Sequence, residues 1–227
     1  GLDALEVERR LADLLFEKLD RPDQAAGRYE RVLEQAPGDS RALDGLKACQ
    51  KTLGDKRGYL ESLGRELGML LGRSEPLDVD QMAELRAEVD DEGVRVTSSQ
   101  VLSDAARMID QEFHSPQRSW AVYGAAHRLW PENVAALERR IELDRRLDET
   151  SQLAEDLESF ADALLDPAAR FDALFEAAEI RRENDQEERA AELYERAVDA
   201  GSQTEATPDE LERAREQLAQ LTSPESD

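Results

Sequence analysis

Apolar residues recur at the three- and four-residue spacing of an α-helix along almost the whole chain. In the first segment, Leu11, Leu14, Leu15 and Leu19 fall on one helical face, and later segments repeat the pattern. No alternating apolar and polar run of useful length occurs, so strands are not expected. The spacing therefore predicts an all-α chain of short helices, each of which must bury one face against its neighbours.

Turn-forming residues divide this pattern into about twelve antiparallel helices. Capping residues and prolines mark several ends, as in Asp166-Pro167, where a cap precedes a proline in the first helical turn. Thr97-Ser98-Ser99-Gln100 has the spacing of a capping box. The predicted helices span residues 3–19, 22–36, 39–53, 56–72, 78–92, 98–113, 116–130, 132–147, 149–165, 167–184, 186–200 and 208–221.

Three of these helices share a spaced set of residues: a small residue, an aromatic residue four positions on, and a small or branched residue three further on. The sets are Ala25, Tyr29 and Val32, followed by Pro37; Ser119, Tyr123 and Ala126, followed by Pro131; and Ala190, Tyr194 and Ala197. Small residues at a crossing let two helices approach closely, and the aromatic ring fills the gap one turn on. The set resembles the second helix of a tetratricopeptide repeat (TPR).

The resemblance implies an α-α superhelix, a TPR-like solenoid of helix pairs. The array slips once, since Tyr59 and Ser119 are 60 residues apart and the repeat is about 34 residues long. The predicted parts are helix pairs over 1–72, an irregular segment with one helix over 73–97, helix pairs over 98–206, a C-terminal capping helix over 207–221 and a disordered tail over 222–227. Another α-α solenoid or an irregular bundle is the alternative.

The charge balance is strongly acidic. Asp and Glu number 53 against 29 Lys and Arg, which gives a net charge of −24. This field repels a phosphate backbone, so we expect no nucleic-acid partner, and it steers basic partners in. A GC-rich genome or adaptation to salt explains the acidity, and a functional acidic surface is the alternative. No apolar stretch is long enough to span a membrane, and we favour a soluble, cytoplasmic protein.

The chain offers little for catalysis or metal binding. His114 and His127 form no His-Glu-x-x-His motif, and the single cysteine, Cys49, lies within a predicted helix. Phosphate-binding glycine loops and nucleophile elbows are absent from the sequence. The acidic run over 88–92 lacks the ligand spacing of a calcium loop, and we interpret it as a solvated helix end. We therefore expect no enzyme, no cofactor and no metal site.

What the TPR resemblance implies is a non-enzymatic interaction scaffold, with a concave groove lined by the first helix of each pair. The groove residues carried over by position are Arg10, Arg41, Lys51, Met108, Arg145, Phe175 and Arg182. The cations would bind an acidic or C-terminal carboxylate segment, and the acids around them a basic one; the sequence leaves both open. The alternative is that Phe175 packs in the core and the arginines pair with glutamates at helical spacing.

A second surface is indicated by Trp130 and by Gly64, Gly68 and Gly72, which recur every four residues. Packing within the chain and docking of a partner helix or a second copy both explain such a stripe, so self-association stays open. Trp130 precedes a turn and is either a packing residue or a binding aromatic. The competing functions are a structural spacer or interaction module of a larger multi-domain or envelope-associated protein, and a helical catalytic domain.

Overall fold

Helices account for most of the backbone in the computed structural model, which describes residues 4–86, 88–204 and 208–222. These ranges contain twelve helices and no strand, which confirms the predicted all-α fold. The helices are α1 (Ala4–Glu17), α2 (Pro22–Gln35), α3 (Ser40–Leu53), α4 (Lys56–Leu70), α5 (Val79–Ala83), α6 (Glu92–Gln111), α7 (Pro116–Leu129), α8 (Val134–Leu147), α9 (Thr150–Ala163), α10 (Pro167–Glu183), α11 (Glu187–Gly201) and α12 (Pro208–Thr222).

The chain divides into two compact units after α7. Unit 1 covers Gly1–Leu129 and unit 2 covers Trp130–Asp227. Most consecutive helices within each unit pack against each other, and in unit 2 α9 packs on both α8 and α10. Helix α12 packs on α11. Of the tail predicted over 222–227, Thr222 ends α12 and the rest lies outside the described residues.

The small–aromatic–small sets of the second helices lie at the centre of the helix packing. None of their nine residues is more than 5% exposed. The Tyr29 ring lies directly over α3, where a Cβ on Gly45 would overlap its Cζ. The Tyr29 hydroxyl donates to Asp13 Oδ1 of α1 at 2.6 Å, and Tyr194 donates in the same way to Glu179 of α10. The aromatic residue thus joins the second helix to the first helix before it.

The helix predicted over 78–92 is wrong beyond its first turn. Helix α5 covers only Val79–Ala83, although its start is well fixed by a capping box between Asp78 and Gln81. An arginine of α7, Arg128, donates to the carbonyl oxygens of Ala83 and Leu85 at 3.0 and 3.3 Å. These bonds satisfy acceptors that a longer helix would have used itself. A contact distant in sequence therefore ends α5 early.

Helix α6 begins six residues before the predicted start at position 98. Asp91 is its N-cap and accepts a hydrogen bond from the Val94 amide at 2.9 Å. Thr97, predicted to cap the helix, lies inside it and donates its hydroxyl to the Gly93 carbonyl at 2.8 Å. The acidic run over 88–92 therefore leads into a helix and supplies its cap, where a carboxylate favours the positive end of the helix dipole.

Unit 2 buries a group of charged residues between α8 and α9. Asp144 is fully buried, Asp156 is 3% exposed and Arg140 is 8% exposed. Arg140 Nε lies 3.1 Å from Asp156 Oδ2, and Gln152 donates to the other oxygen of Asp156 at 3.2 Å. Burial raises the pKa of Asp156 to about 7; Arg140 opposes the rise, and the hydrogen bond and negative charge of Asp144 add to it.

We expect the stability of unit 2 to fall as the pH rises through this window. The folded pKa of Asp156 lies above its ordinary value, so between about pH 4 and 7 the folded chain binds more protons than the unfolded one. Raising the pH from 5.5 to 7.5 should therefore remove about 1–2 kcal/mol. Urea unfolding at both pH values measures this loss. Because asparagine does not titrate, most of the loss should disappear in Asp156→Asn. An equal loss in the variant would contradict the assignment.

Candidate functional site

A cavity of about 340 Å³ lies between α8 and α10, the first helices of the two pairs in unit 2. We call it the α8–α10 cavity. Helix α8 contributes Glu138, Ile141, Glu142 and Arg145; α10 contributes Ala169, Asp172, Ala173 and Glu176; and α9 contributes Leu157 and Phe160. The two sets of four have the same helical spacing, and each residue stands 31 positions from its counterpart. The cavity is therefore built from matching turns of two neighbouring helices.

Carboxylates outnumber cations around this cavity by four to one. The one guanidinium, Arg145, donates to both oxygens of Glu176 at 2.9 and 2.7 Å. Glu142 accepts from Arg139 at 2.7 Å. Glu138 and Asp172 are exposed and have no hydrogen bond or ion pair to any described residue. These two acids are thus left to interact with a ligand.

The pKa of Asp172 is raised. Partial burial is the main cause, and the negative charges of Glu210 and Asp166 add to it. The acids around Asp172 therefore repel its charge without a compensating cation. A positive group placed beside Asp172 would relieve this repulsion and return the pKa toward its ordinary value.

The other predicted groove residues of α10 are engaged within unit 2. Phe175 stacks on Phe171 with ring centroids 5.8 Å apart and meets the Tyr194 ring edge-on, also at 5.8 Å. The Arg213 guanidinium covers the Phe175 ring at 5.4 Å. Arg182 lies 3.2 Å from Glu179 at helical spacing. Phe175 therefore packs on other rings of unit 2, and Arg182 pairs with a glutamate of its own helix, which is the arrangement that the packing alternative describes. Arg145 instead pairs with a glutamate of another helix.

In unit 1 the predicted groove residues fall in three places. Arg10 and Arg41 both act on Glu6, whose pKa is lowered chiefly by a hydrogen bond from Arg10. Lys51 lies 4.8 Å from the centre of the Tyr59 ring. Met108 is half-buried on α6. Arg10 thus pairs with Glu6 on its own helix α1, and Arg41 of α3 adds only a weaker charge effect on the pKa of Glu6.

The glycines of the second predicted surface contact the chain itself. A Cβ on Gly64 would overlap the Leu77 carbonyl oxygen, and one on Gly68 would lie 2.8 Å from that of Glu75. Gly72 lies beyond α4 with a φ of +63°, a left-handed conformation that favours glycine. At Gly64 and Gly68, the absence of a side chain makes room for the backbone of the same chain, as packing within the chain requires. Trp130 is half-buried.

Reactive and metal-binding groups are few in the described part of the chain. Cys49 is fully buried, and burial raises the pKa of its thiol to about 11, which keeps it protonated at neutral pH. Among the described residues, no three His, Cys, Asp or Glu side chains are placed to hold a metal ion. In the same residues, no helix has the length and apolar character needed to cross a bilayer.

No protein-family model and no curated protein matches the chain. Among solved structures it is similar to YrrB, a TPR protein with an unusual peptide-binding site, at 13% identity and a TM-score of 0.44 over 94% of this chain and 92% of YrrB. It is similar to MamA at 16% identity and a TM-score of 0.42, over 87% of this chain and 92% of MamA. TTC0263, a thermophilic TPR protein in Thermus thermophilus, is 20% identical with a TM-score of 0.32, over 95% of this chain and 99% of TTC0263. These likenesses concern the helical fold and extend to no activity or partner.

Proposed function

We propose that the protein is an interaction scaffold that binds a basic segment of a partner in the α8–α10 cavity. The observation that supports this most directly is the pair of unpartnered carboxylates, Glu138 and Asp172, on the two helices that form the cavity. A lysine or arginine side chain between them would gain two charge-assisted contacts. The net charge of −24 would steer such a segment toward the protein.

The apolar residues of the cavity suit the same ligand. Ile141 is 4% exposed and Leu157 is 3% exposed, and Phe160 is half-buried beside them. The long aliphatic stem of a lysine or arginine can pack on such residues while its charged end reaches a carboxylate. Apolar contact and charge pairing therefore support a single class of ligand.

An acidic segment is disfavoured at this site. Arg145, the cation that would have to receive it, is already held by both oxygens of Glu176. An incoming carboxylate would have to displace Glu176 and would leave that residue unpaired beside Glu142 and Asp172. The bidentate pair therefore favours the basic ligand over the acidic one, both of which the sequence left open.

Reversing the two unpartnered charges should weaken binding of a basic probe by tenfold or more. The probe is a labelled twelve-residue peptide with two lysines and two arginines in a Gly-Ser background, titrated by fluorescence anisotropy. Glu138→Lys with Asp172→Lys removes two charged contacts at exposed positions, each worth up to about 1 kcal/mol, and replaces them by repulsion. The matched control, Glu195→Lys with Glu216→Lys, makes the same change in net charge at exposed positions of α11 and α12.

Equal weakening by the two pairs of substitutions would mean that net charge alone drives binding, and the proposed site would be wrong. Absence of saturable binding at millimolar peptide would overturn it as well. Circular dichroism on both variants checks that helix content is unchanged.

A further inference from the structure

A larger cavity lies in unit 1, between α2 and α4, and the predicted groove does not include it. It encloses about 810 Å³, within the range of ligand-binding pockets. We call it the α2–α4 cavity. Its residues come from the C-terminal parts of α2 and α4 and from the loops that follow them: Leu33, Glu34, Pro37, Gly38, Arg65, Met69, Gly72, Arg73, Ser74, Glu75 and Pro76.

One wall of the cavity combines an apolar residue with two cations. Arg65 and Met69 lie on α4, and Arg73 lies in the loop that follows it, beyond the left-handed Gly72. Met69 is half-buried and packs against the core of unit 1, as does Leu33 on the opposite wall. The floor is therefore apolar, and two arginines line the same cavity.

Both guanidinium groups lack a partner in the described part of the chain. No carboxylate of a described residue lies within 4.0 Å of Arg65 or Arg73, and neither side chain makes a hydrogen bond there. This is unusual in an acidic chain where most arginines, such as Arg28 and Arg57, are paired. An unpaired guanidinium beside an apolar surface is a strong site for a carboxylate.

We propose that the α2–α4 cavity binds an extended partner segment in which an apolar side chain lies between two carboxylates. The apolar side chain would pack on Met69 and Leu33, and the carboxylates would pair with Arg65 and Arg73. Arg65 lies on α4 and Arg73 in the loop after it, so the segment must present a carboxylate to each. The simplest ligand of this kind is a short segment with one apolar residue flanked by acidic ones.

Glu34 and Glu75 also line this cavity, and neither has a partner among the described residues. Their charges set a limit on how acidic the segment can be, because further carboxylates would meet them. They also provide a sensitive test. Replacing both by glutamine removes two negative charges without changing side-chain shape, so an acidic ligand should bind more tightly to that variant.

Three labelled peptides test the proposal, each in a Gly-Ser background: Glu-Ser-Leu-Ser-Glu, Lys-Ser-Leu-Ser-Lys and Glu-Ser-Ser-Ser-Glu. Anisotropy titrations use the full chain with Glu138→Gln and Asp172→Asn, so that the α8–α10 cavity neither captures the lysine peptide nor attracts the acidic ones. The first peptide should bind at least tenfold more tightly than the other two. Arg65→Glu with Arg73→Glu should weaken it at least tenfold, and Glu34→Gln with Glu75→Gln should tighten it.

The control pair, Lys18→Glu with Arg31→Glu, makes the same change in net charge at exposed positions of unit 1 outside the cavity and should change affinity less than threefold. The proposal is overturned if the acidic peptide shows no saturable binding at millimolar concentration. It is equally overturned if the lysine peptide binds as tightly, or if both charge-reversed pairs weaken binding alike. None of these results bears on the basic-segment site of unit 2.

Discussion

Replacing Arg140 with methionine is expected to lower the free energy of unfolding by about 3–5 kcal/mol at pH 7.5. Methionine fills a similar volume but leaves Asp156, which is 3% exposed, without its cation and beside the fully buried Asp144. Removing one partner from a buried charged group costs far more than an exposed pair is worth, because the remaining charges cannot reach water. Urea unfolding followed by circular dichroism measures the loss.

The neighbouring arginine provides the control for this substitution. Arg139 and its partner Glu142 have side chains 61% and 57% exposed, so Arg139→Met should cost less than about 1 kcal/mol. The loss of unfolding free energy caused by Arg140→Met should also be smaller at pH 5.5, where Asp156 binds a proton. Equal costs for the two arginines, or a deficit that does not depend on pH, would mean that the carboxylates are not held by Arg140.

The local features of the fold could be predicted from the sequence. The Ala190, Tyr194 and Ala197 spacing identifies a buried helix face, and all three residues are fully buried. Asp166 before Pro167 marks a helix start, and Asp166 caps α10 as expected. Such signals act over one or two helical turns, so a single chain contains all the information they need.

Features that depend on how one helix is aligned with another could not be predicted. Asp13 of α1 accepts a hydrogen bond from the Tyr29 hydroxyl of α2. Lys47 of α3 pairs with Glu66 of α4 at 2.6 Å. Nothing in the spacing of either residue identifies a partner 16 or 19 positions away. These polar contacts depend on the relative shift of two helices.

The same limit applies to the candidate site. Helical spacing predicts that Arg145 would pair with a glutamate of its own helix, but its partner is Glu176 on α10. The sequence did contain one signal. The spacing of positions 138, 141, 142 and 145 on α8 is repeated 31 positions later by the residues of α10 that line the same cavity. A comparison of corresponding turns in these two helices, with charge included, places Arg145 opposite Glu176.

Replacing Gly64 with alanine is expected to destabilise unit 1 by about 2 kcal/mol net. Alanine favours a helix over glycine by roughly 0.5–1 kcal/mol, but its Cβ would overlap the Leu77 carbonyl oxygen. Neither backbone can easily move, because the Leu77 amide donates to the Gly64 carbonyl at 3.1 Å and Leu77 is 3% exposed. Overpacking of this kind costs about 1–3 kcal/mol or more, so the clash outweighs the gain in helix propensity.

Gly27 in α2 provides a matched comparison, since a Cβ there would meet nothing within 4 Å. Gly27→Ala should therefore stabilise the protein by about 0.5–1 kcal/mol, opposite in sign to Gly64→Ala. Thermal unfolding of the two variants and the parent chain shows whether each substitution raises or lowers the stability. If both substitutions stabilise, the backbone around Leu77 does not cover α4, and the glycine face of that helix is free to receive a partner helix or a second copy.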